Sequence, residues 1–252
     1  MASAAENELD ACLSKISAAS ADGYGIVLRR RKRPGDGWFP AVKLADEAPP
    51  ALISRVQGLS GAGDHIRAEW MLESVARALA DLGGSFLVSS HRLPDLGTQN
   101  VLLAAEGGLV RACGLLSARM SVLENDPAAS LDGVEVSDGW QELADLFGEG
   151  FTGLLEPLIQ WIDASGLRPA KTLWQASADR LAQSLDWCGT AFDDRDLSRQ
   201  LATRVLNTDS RLSIPLECGV DDFGNDFHLR TTCCLAYRTP GAGYCRSCPL
   251  NR

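Results

Sequence analysis

The chain has 252 residues and a formal net charge of −9. Hydrophobic residues make up 45% of it and charged residues 23%, so the chain can bury a sizeable core and has no composition typical of disorder. An acidic surface disfavours nucleic-acid binding, because that binding depends on Lys and Arg side chains that neutralise phosphates.

No stretch of the sequence predicts export or insertion into a membrane. The first 21 residues are interrupted by four charged side chains, at Glu6, Glu8, Asp10 and Lys15. The longest apolar stretch, residues 101–116, is broken by charged residues and by glycines. We therefore expect a cytoplasmic protein without an integral membrane segment. Thiols stay reduced in that compartment, so the eight cysteines do not predict four structural disulfides.

The N-terminal part of the chain predicts a mixture of helices and strands. Residues 5–20 have the pattern of a short amphipathic helix, and residues 25–29 have that of a strand. Asp64 can cap a second helix, whose apolar face runs to Leu82 and which Gly83 and Gly84 are expected to end. A strand is predicted over residues 86–90.

Two apolar runs, residues 100–105 and 109–116, flank Glu106-Gly107-Gly108 and predict a hairpin. Residues 124–138 are rich in Asp, Pro and Gly and predict a loop. The following hundred residues are mostly helical in pattern, with helices predicted around residues 151–162, 169–185 and 194–206. Pro157 lies inside the first of these patterns, so that helix is expected either to begin near Glu156 or to kink.

After Pro215 the pattern becomes rich in glycine, proline and short polar segments. The fold class predicted for the whole chain is α+β and mainly helical, with an N-terminal mixed α/β region and a small C-terminal tail. A domain of residues 1–215 and a C-terminal segment of residues 216–252 follow from this division.

The cysteines fall into two groups. Four are scattered, at Cys12, Cys113, Cys188 and Cys218, and each is read as a small buried hydrophobic side chain. Cys218 is the most probable exception because it lies closest to the tail. The three histidines are far apart; His228 is the best placed of them as a metal ligand, five residues before the second cysteine group.

The second group is crowded into the tail, at Cys233, Cys234, Cys245 and Cys248. Its spacing is C-C, ten residues, then C-x2-C, with a turn-prone segment between the halves. A loop-rich tail buries little apolar area, and a metal held by four thiolates can supply the missing stabilisation. From spacing alone an iron–sulfur cluster, structural zinc and a redox dithiol all stay open, with zinc disfavoured because paired C-x2-C turns are its usual form.

The segment from Thr231 to Arg238, followed by Gly241 to Leu250, resembles the C-terminal signature of the FhuF-like ferric siderophore reductases. All four cysteine positions match the family motif with the same spacing. The helical segment around Leu154-Leu155-Glu156-Pro157-Leu158-Ile159, Gly166-Leu167 and Leu173-Trp174 is similar to a second family pattern, L-x-x-P-L-I, G-L and L-W. The two regions together cover roughly 100 residues, with Gln175-Ala176 replacing the Asn and Ala that often follow in the family.

The resemblance implies that Cys233, Cys234, Cys245 and Cys248 bind a [2Fe–2S] cluster. The implied reaction is one-electron reduction of Fe(III) in a siderophore, with the hydroxamate type expected. Residues 1–215 would then bind the siderophore and residues 216–252 the cluster. The chain contains no convincing nucleotide motif, so a separate electron donor such as a ferredoxin or a flavoprotein reductase is expected. The alternatives are a zinc-stabilised, non-redox siderophore-binding protein and an iron–sulfur electron carrier or sensor.

Charge gives two further expectations. The run Arg29, Arg30, Arg31, Lys32 and Arg33 fits a solvated strand end, and less well a contact for an anionic chelate or an acidic donor protein. The net charge of −9 predicts a weak preference for neutral or cationic chelates over strongly anionic ones.

Overall fold

The fold is α+β and mainly helical, as predicted from the pattern of apolar residues. The computed structural model describes residues 2–19, 27–31, 33–35, 37–44, 53–54, 56, 61–220, 226–239 and 241–251. Its helices are α1 Ala4–Ala19, α2 Asp64–Ser90, α3 Trp140–Ala164, α4 Ala170–Ala191 and α5 Arg195–Leu206. Its strands are β1 Val27–Arg30, β2 Trp38–Pro40, β3 Arg92–Pro94, β4 Val101–Glu106, β5 Leu109–Leu115, β6 Met120–Leu123, β7 Val134–Ser137, β8 Glu217–Val220 and β9 Asp226–Leu229.

Helix α2 is the centre of the core and packs against α1, α3, α4 and strand β5. It begins at Asp64, with Gly63 as the N-cap residue and no side-chain cap, so the predicted capping role of Asp64 is wrong. It ends at His91, which adopts the left-handed conformation with φ 58°.

The prediction that Gly83 and Gly84 end this helix is wrong. A glycine in a helix interior costs about 1 kcal/mol relative to alanine, but close packing overrides that preference here. A Cβ atom at Gly83 would lie 2.3 Å from the ring of Phe147 in α3, and one at Gly84 would lie 3.2 Å from Cys188 Sγ in α4. The two glycines therefore let three helices approach one another closely. The strand predicted over residues 86–90 is also wrong, because the helix continues past the glycines and this buried stretch forms its last turns.

The predicted hairpin is confirmed as β4 and β5. Gly107 and Gly108 form its two-residue turn with φ 58° and 79°, the positive values that a tight hairpin turn of this kind requires. The four-stranded sheet has the order β1-β5-β4-β2, with β1 parallel to β5. Strand β1 corresponds to the predicted strand; Gly25 and Ile26 of that prediction lie outside the described residues.

The loop predicted over residues 124–138 is wrong at its C-terminal end, where β7 pairs with β6 in parallel. With β3 these strands form a second, three-stranded sheet. Pairing with β6, which directly precedes the predicted loop, satisfies the backbone of a stretch whose composition is typical of a loop.

The helical middle of the chain is confirmed. Helix α3 continues through Pro157, so it does not begin near Glu156. Pro169 is the N-cap residue of α4, and Asp194 caps α5 by accepting a hydrogen bond from the Leu197 N–H at 3.1 Å.

The C-terminal segment begins with the antiparallel hairpin of β8 and β9, and β9 packs on α4. The chain that follows β9 consists of loops and short 3-10 turns. Within the described residues, none of the helices combines the length and apolar character that crossing a bilayer requires.

Candidate metal centre

The four crowded cysteines of the tail come together as two pairs. Cys234 Sγ lies 4.0 Å from Cys245 Sγ, and the thiol of Cys233 interacts with that of Cys248. Two thiolates on one tetrahedral metal are about 3.8 Å apart when each metal–sulfur bond is about 2.3 Å. A [2Fe–2S] cluster uses four thiolates, two on each iron, so the paired arrangement fits that donor set. In the part of the chain that is described, no group of three or more Cys, His, Asp or Glu side chains is gathered for a single metal ion.

A backbone turn and two backbone hydrogen bonds lie directly beside the cysteines. Leu235 adopts a left-handed conformation with φ 59°, which turns the chain directly after Cys233 and Cys234. The Leu235 N–H donates a hydrogen bond to Cys233 Sγ at 3.4 Å, and the Cys248 N–H donates to the Cys245 carbonyl at 3.1 Å. Such N–H groups next to sulfur are among the features that tune a cluster's reduction potential.

The thiols lie at the protein surface but are partly shielded. Cys234 and Cys248 are buried, whereas Cys233 and Cys245 are half-buried. Burial raises the pKa of Cys233, and burial together with the neighbouring Cys234 raises the pKa of Cys245 to about 11, against the lowering effect of Arg230. Thiols with such pKa values stay protonated at neutral pH unless a bound metal ion stabilises their thiolate form.

Asp179 in α4 fixes the two residues that precede the cysteines, and sequence reasoning missed it. Its carboxylate accepts hydrogen bonds from the backbone N–H groups of Thr231 and Thr232, both at 2.9 Å. The hydroxyl groups of both threonines also donate to it, at 3.2 Å and 2.6 Å. Burial raises the pKa of Asp179, but these hydrogen bonds and His228 outweigh burial and hold the pKa below its usual value.

His228 belongs to this anchoring group and does not approach the thiols as a fifth ligand. It is buried on β9, and its Nε2 atom lies 3.1 Å from Asp179 Oδ1. The weak prediction that His228 binds metal is therefore replaced by a structural role.

A second group that sequence reasoning missed also holds the segment directly before the cysteines. Arg230 is almost completely buried and donates to both carboxylate oxygens of Glu73 in α2 and to the Thr232 carbonyl. Arg180 Nε donates to the same Glu73 at 2.8 Å. Burial raises the pKa of Glu73, but the two guanidinium groups outweigh burial and lower it to about 2.

Two further contacts attach the loop to the helices. The indole N–H of Trp70 in α2 donates to the Cys234 carbonyl at 2.9 Å, and Gln183 Nε2 in α4 donates to Ser247 Oγ at 3.0 Å. The sequence contains one indication of these anchors, since Glu73 and Asp179 are acidic residues in helical segments rich in apolar residues. The structure shows that both are buried.

Glu69 lies one turn before Glu73 in α2 and is completely buried. Burial and the nearby Glu73 raise its pKa to about 7, even though the Arg168 guanidinium, with Nε 2.6 Å from Glu69 Oε2, favours the charged form.

The scattered cysteines and the basic run lie apart from this centre. Cys12, Cys113 and Cys188 are buried as predicted, and burial raises the pKa of Cys113 to about 12. Cys218 is exposed on β8, so its predicted burial is wrong.

In the basic run, Arg30 forms ion pairs with Glu6 and Asp10 of α1. Arg31 lies over the ring of Trp38. These contacts attach the end of β1 to its neighbours; Lys32 lies outside the described residues.

Two pairs of neighbouring thiols, with the buried Arg230 beside them, define the class of site as a four-cysteine metal site. The comparison with protein families identifies it further: residues 230–250 match the family described as the FhuF 2Fe-2S C-terminal domain. The match of residues 230–250 supports a [2Fe–2S] cluster as the cofactor and indicates a redox-related iron–sulfur protein.

Comparison with curated proteins gave no match. Among solved structures, the chain is similar to ATP-bound aerobactin synthetase IucA of Klebsiella pneumoniae, with 12% identity and a TM-score of 0.49 over 64% of this chain and 35% of that one. It is also similar to aerobactin synthetase IucC of the same organism, with 17% identity and a TM-score of 0.45 over 65% of this chain and 32% of that one. The chain thus spans about a third of the length of each synthetase.

Proposed function

We propose that this protein is a cytoplasmic ferric siderophore reductase that reduces Fe(III) in a chelate to Fe(II). The four ligands of the cluster would be Cys233, Cys234, Cys245 and Cys248. Residues 1–215 would form the siderophore-binding domain and residues 216–252 the cluster-binding segment. The observation that carries the proposal is the position of the thiol pairs in a surface loop, with Cys233 and Cys245 half-buried.

The chemistry of the substrate suits such a site. Oxygen ligands such as hydroxamates hold the hard Fe(III) ion tightly and hold Fe(II) much less tightly, so one electron releases the metal without cleavage of the ligand. A bound [2Fe–2S] cluster supplies electrons one at a time. A siderophore is too large to be buried deeply, and a surface loop allows the chelate to approach within electron-transfer distance.

The chain's own residues hold the loop and set its electrostatics. Asp179 holds Thr231 and Thr232, and Glu73 holds Arg230, so both carboxylates fix the segment directly before the cysteines. Arg230 places a buried positive charge next to Cys245, which opposes the rise that burial causes in the pKa of that thiol. The chain must receive its electron from a separate donor, for which a ferredoxin or a flavoprotein reductase is the natural class.

The test is stopped-flow mixing of anaerobically prepared, dithionite-reduced protein with a ferric hydroxamate siderophore. We expect cluster reoxidation and Fe(II) capture by a ferrous indicator to proceed together, one electron per cluster, with the organic ligand intact by mass spectrometry. Reoxidation that is no faster with the chelate than without it would favour an electron carrier or sensor.

Cysteine variants test the ligand assignment in the same preparation. Replacing Cys234 with serine should deplete iron and acid-labile sulfide, as should the same change at Cys233, Cys245 or Cys248. Cys113→Ser is the matched control, because Cys113 is buried in β5 as a packing residue and should leave the cluster in place. Loss of the cluster in the control alone would show that the assignment is wrong.

A further inference from the structure

A cavity of about 220 Å³ lies beside the cysteine loop, between α2, α4 and strand β5. Three arginines line it, one from each element: Arg77, Arg180 and Arg111. Trp70 and Glu73 line it as well, and both residues also hold the cysteine loop. The cavity and the cysteine loop therefore share a wall.

Trp70 joins the two places directly. Its side chain is half-buried and lines the cavity, while its indole N–H donates to the carbonyl of Cys234 at 2.9 Å. One side chain and one hydrogen bond thus separate a molecule in the cavity from a residue that we propose as a cluster ligand. A group that is held there is therefore linked to the cysteine loop through Trp70.

The cavity is positive although the chain as a whole is negative. Arg180 and the buried Arg230 share one carboxylate, Glu73, and Arg77 faces Asp81, with 3.4 Å between Arg77 Nε and Asp81 Oδ2. Arg111 is exposed on β5 and forms no ion pair with any described residue.

Arg230 also lies beside Asp179, with 3.9 Å between Arg230 Nε and Asp179 Oδ2, so the four arginines of this group exceed its three carboxylates by one positive charge. The remaining charged pair nearby, Glu69 and Arg168, is balanced when Glu69 is ionised. A cleft of one sign concentrates oppositely charged ligands even on a protein of the opposite net charge.

We propose that this cavity binds a carboxylate arm of the ferric chelate, so that the preferred substrates are siderophores that carry free or iron-bound carboxylates. The inference rests on the proposed function and names its substrate class. Guanidinium groups bind carboxylates through planar pairs of N–H donors, and three arginines on three different elements surround the cavity. The cavity is large enough for an arm of a chelate, with the iron centre outside it near Trp70.

The position of the cavity also reduces the electrostatic repulsion between the cluster and an anionic chelate. A cluster with four thiolate ligands repels an anionic chelate, and the overall charge of −9 adds to that repulsion. The arginines that line the cavity offset both for a carboxylate held there. The weak preference for neutral or cationic chelates that net charge predicts is thus reversed locally.

Binding is measured by calorimetry with Ga(III)–citrate, a redox-inert probe of the same charge as ferric citrate, and turnover is measured separately with ferric citrate. Arg111→Gln removes the exposed cation and should raise the dissociation constant of Ga(III)–citrate and the KM for ferric citrate about threefold to tenfold, with kcat unchanged. The Ga(III) and Fe(III) complexes of a trihydroxamate without carboxylates should be unaffected. Inorganic phosphate is added as a competitor and should displace citrate only weakly.

Arg29→Gln is the matched control, because Arg29 is an exposed arginine on β1 of the same sheet and belongs to the basic run. It should leave citrate binding unchanged. Weaker binding in Arg29→Gln but not in Arg111→Gln, absence of saturable Ga(III)–citrate binding, or equal losses for the trihydroxamate would each overturn the cavity as a carboxylate site. Binding that depends on Arg111 without reduction of any ferric chelate would leave the site intact and reject the reductase.

Discussion

Replacing Asp179 with asparagine tests whether the tertiary anchor of the cysteine loop controls cluster binding. The carboxylate accepts two backbone and two hydroxyl hydrogen bonds from Thr231 and Thr232, and it faces His228. An amide keeps the shape but offers a single accepting oxygen, so at least one of the two backbone N–H groups loses its partner. An unsatisfied buried donor costs about 1–3 kcal/mol, and loss of the charge weakens the remaining bonds by about 1 kcal/mol more.

The expected total is about 3 kcal/mol, which corresponds to a fall of about 10 °C in the melting temperature of a chain of this size. Thr232 directly precedes Cys233, so we also expect iron and acid-labile sulfide per chain to fall markedly in Asp179→Asn. The assay is metal and sulfide analysis of anaerobically purified protein together with thermal unfolding. Because the pKa of Asp179 is lowered in the folded state, its stabilisation is present above the unfolded pKa of about 4 and is lost below it. The difference between wild type and variant should therefore narrow in acid.

Asp186→Asn is the control, since Asp186 is half-buried two turns further along α4 and its pKa is raised mainly by burial. Neutralising that residue should not lower the melting temperature or the cluster content. Full cluster content and an unchanged melting temperature in Asp179→Asn would refute the anchoring role. Equal losses in the two variants would show that any charge removal in α4 has this effect.

Three further outcomes follow from packing and burial. Gly83→Ala should destabilise the protein by about 1–3 kcal/mol, because the new Cβ atom would lie 2.3 Å from the Phe147 ring. Gly153→Ala in α3 should instead stabilise the protein by about 0.5–1 kcal/mol, because a Cβ atom at this position meets nothing within 4 Å. Unfolding in urea measures the free energy of unfolding of both variants. The folded protein retains the Glu69 proton up to about pH 7, whereas the unfolded chain releases that proton near pH 4.5. Between these two pH values the wild type should therefore lose up to about 3 kcal/mol of stability relative to Glu69→Gln. Melting curves of both proteins at pH 4.5 and pH 8 test this. The Cys113 thiol, with a pKa of about 12 and full burial, should remain unmodified by iodoacetamide in the folded protein at pH 8, and peptide mass spectrometry would detect any labelling.

The local features of this protein could be predicted from the sequence because their determinants lie close together in the chain. The hairpin depends on Gly107 and Gly108 between two apolar runs, and helix α5 depends on Asp194 at its start. A metal site could be predicted from four cysteines within sixteen residues, and its [2Fe–2S] cofactor from the resemblance of that segment to a known family motif. Turn chemistry, capping and chelate spacing act over a few residues, so a pattern reveals them.

Other features depended on which elements pack together. In the sequence the two glycines of α2 resemble a helix end. In the structure Phe147 lies beside Gly83 and Cys188 lies beside Gly84, and these residues follow the glycines by 64 and 104 positions in the chain. The 52 residues between Asp179 and Thr231, and the 157 between Glu73 and Arg230, put the anchors of the cysteine loop beyond any local pattern. A buried carboxylate is stable only beside the groups that neutralise it, and the sequence does not state which distant groups those are. Tertiary packing alone placed a cavity lined by three arginines behind Trp70, whose indole holds the Cys234 carbonyl, because that cavity exists only where α2, α4 and β5 meet.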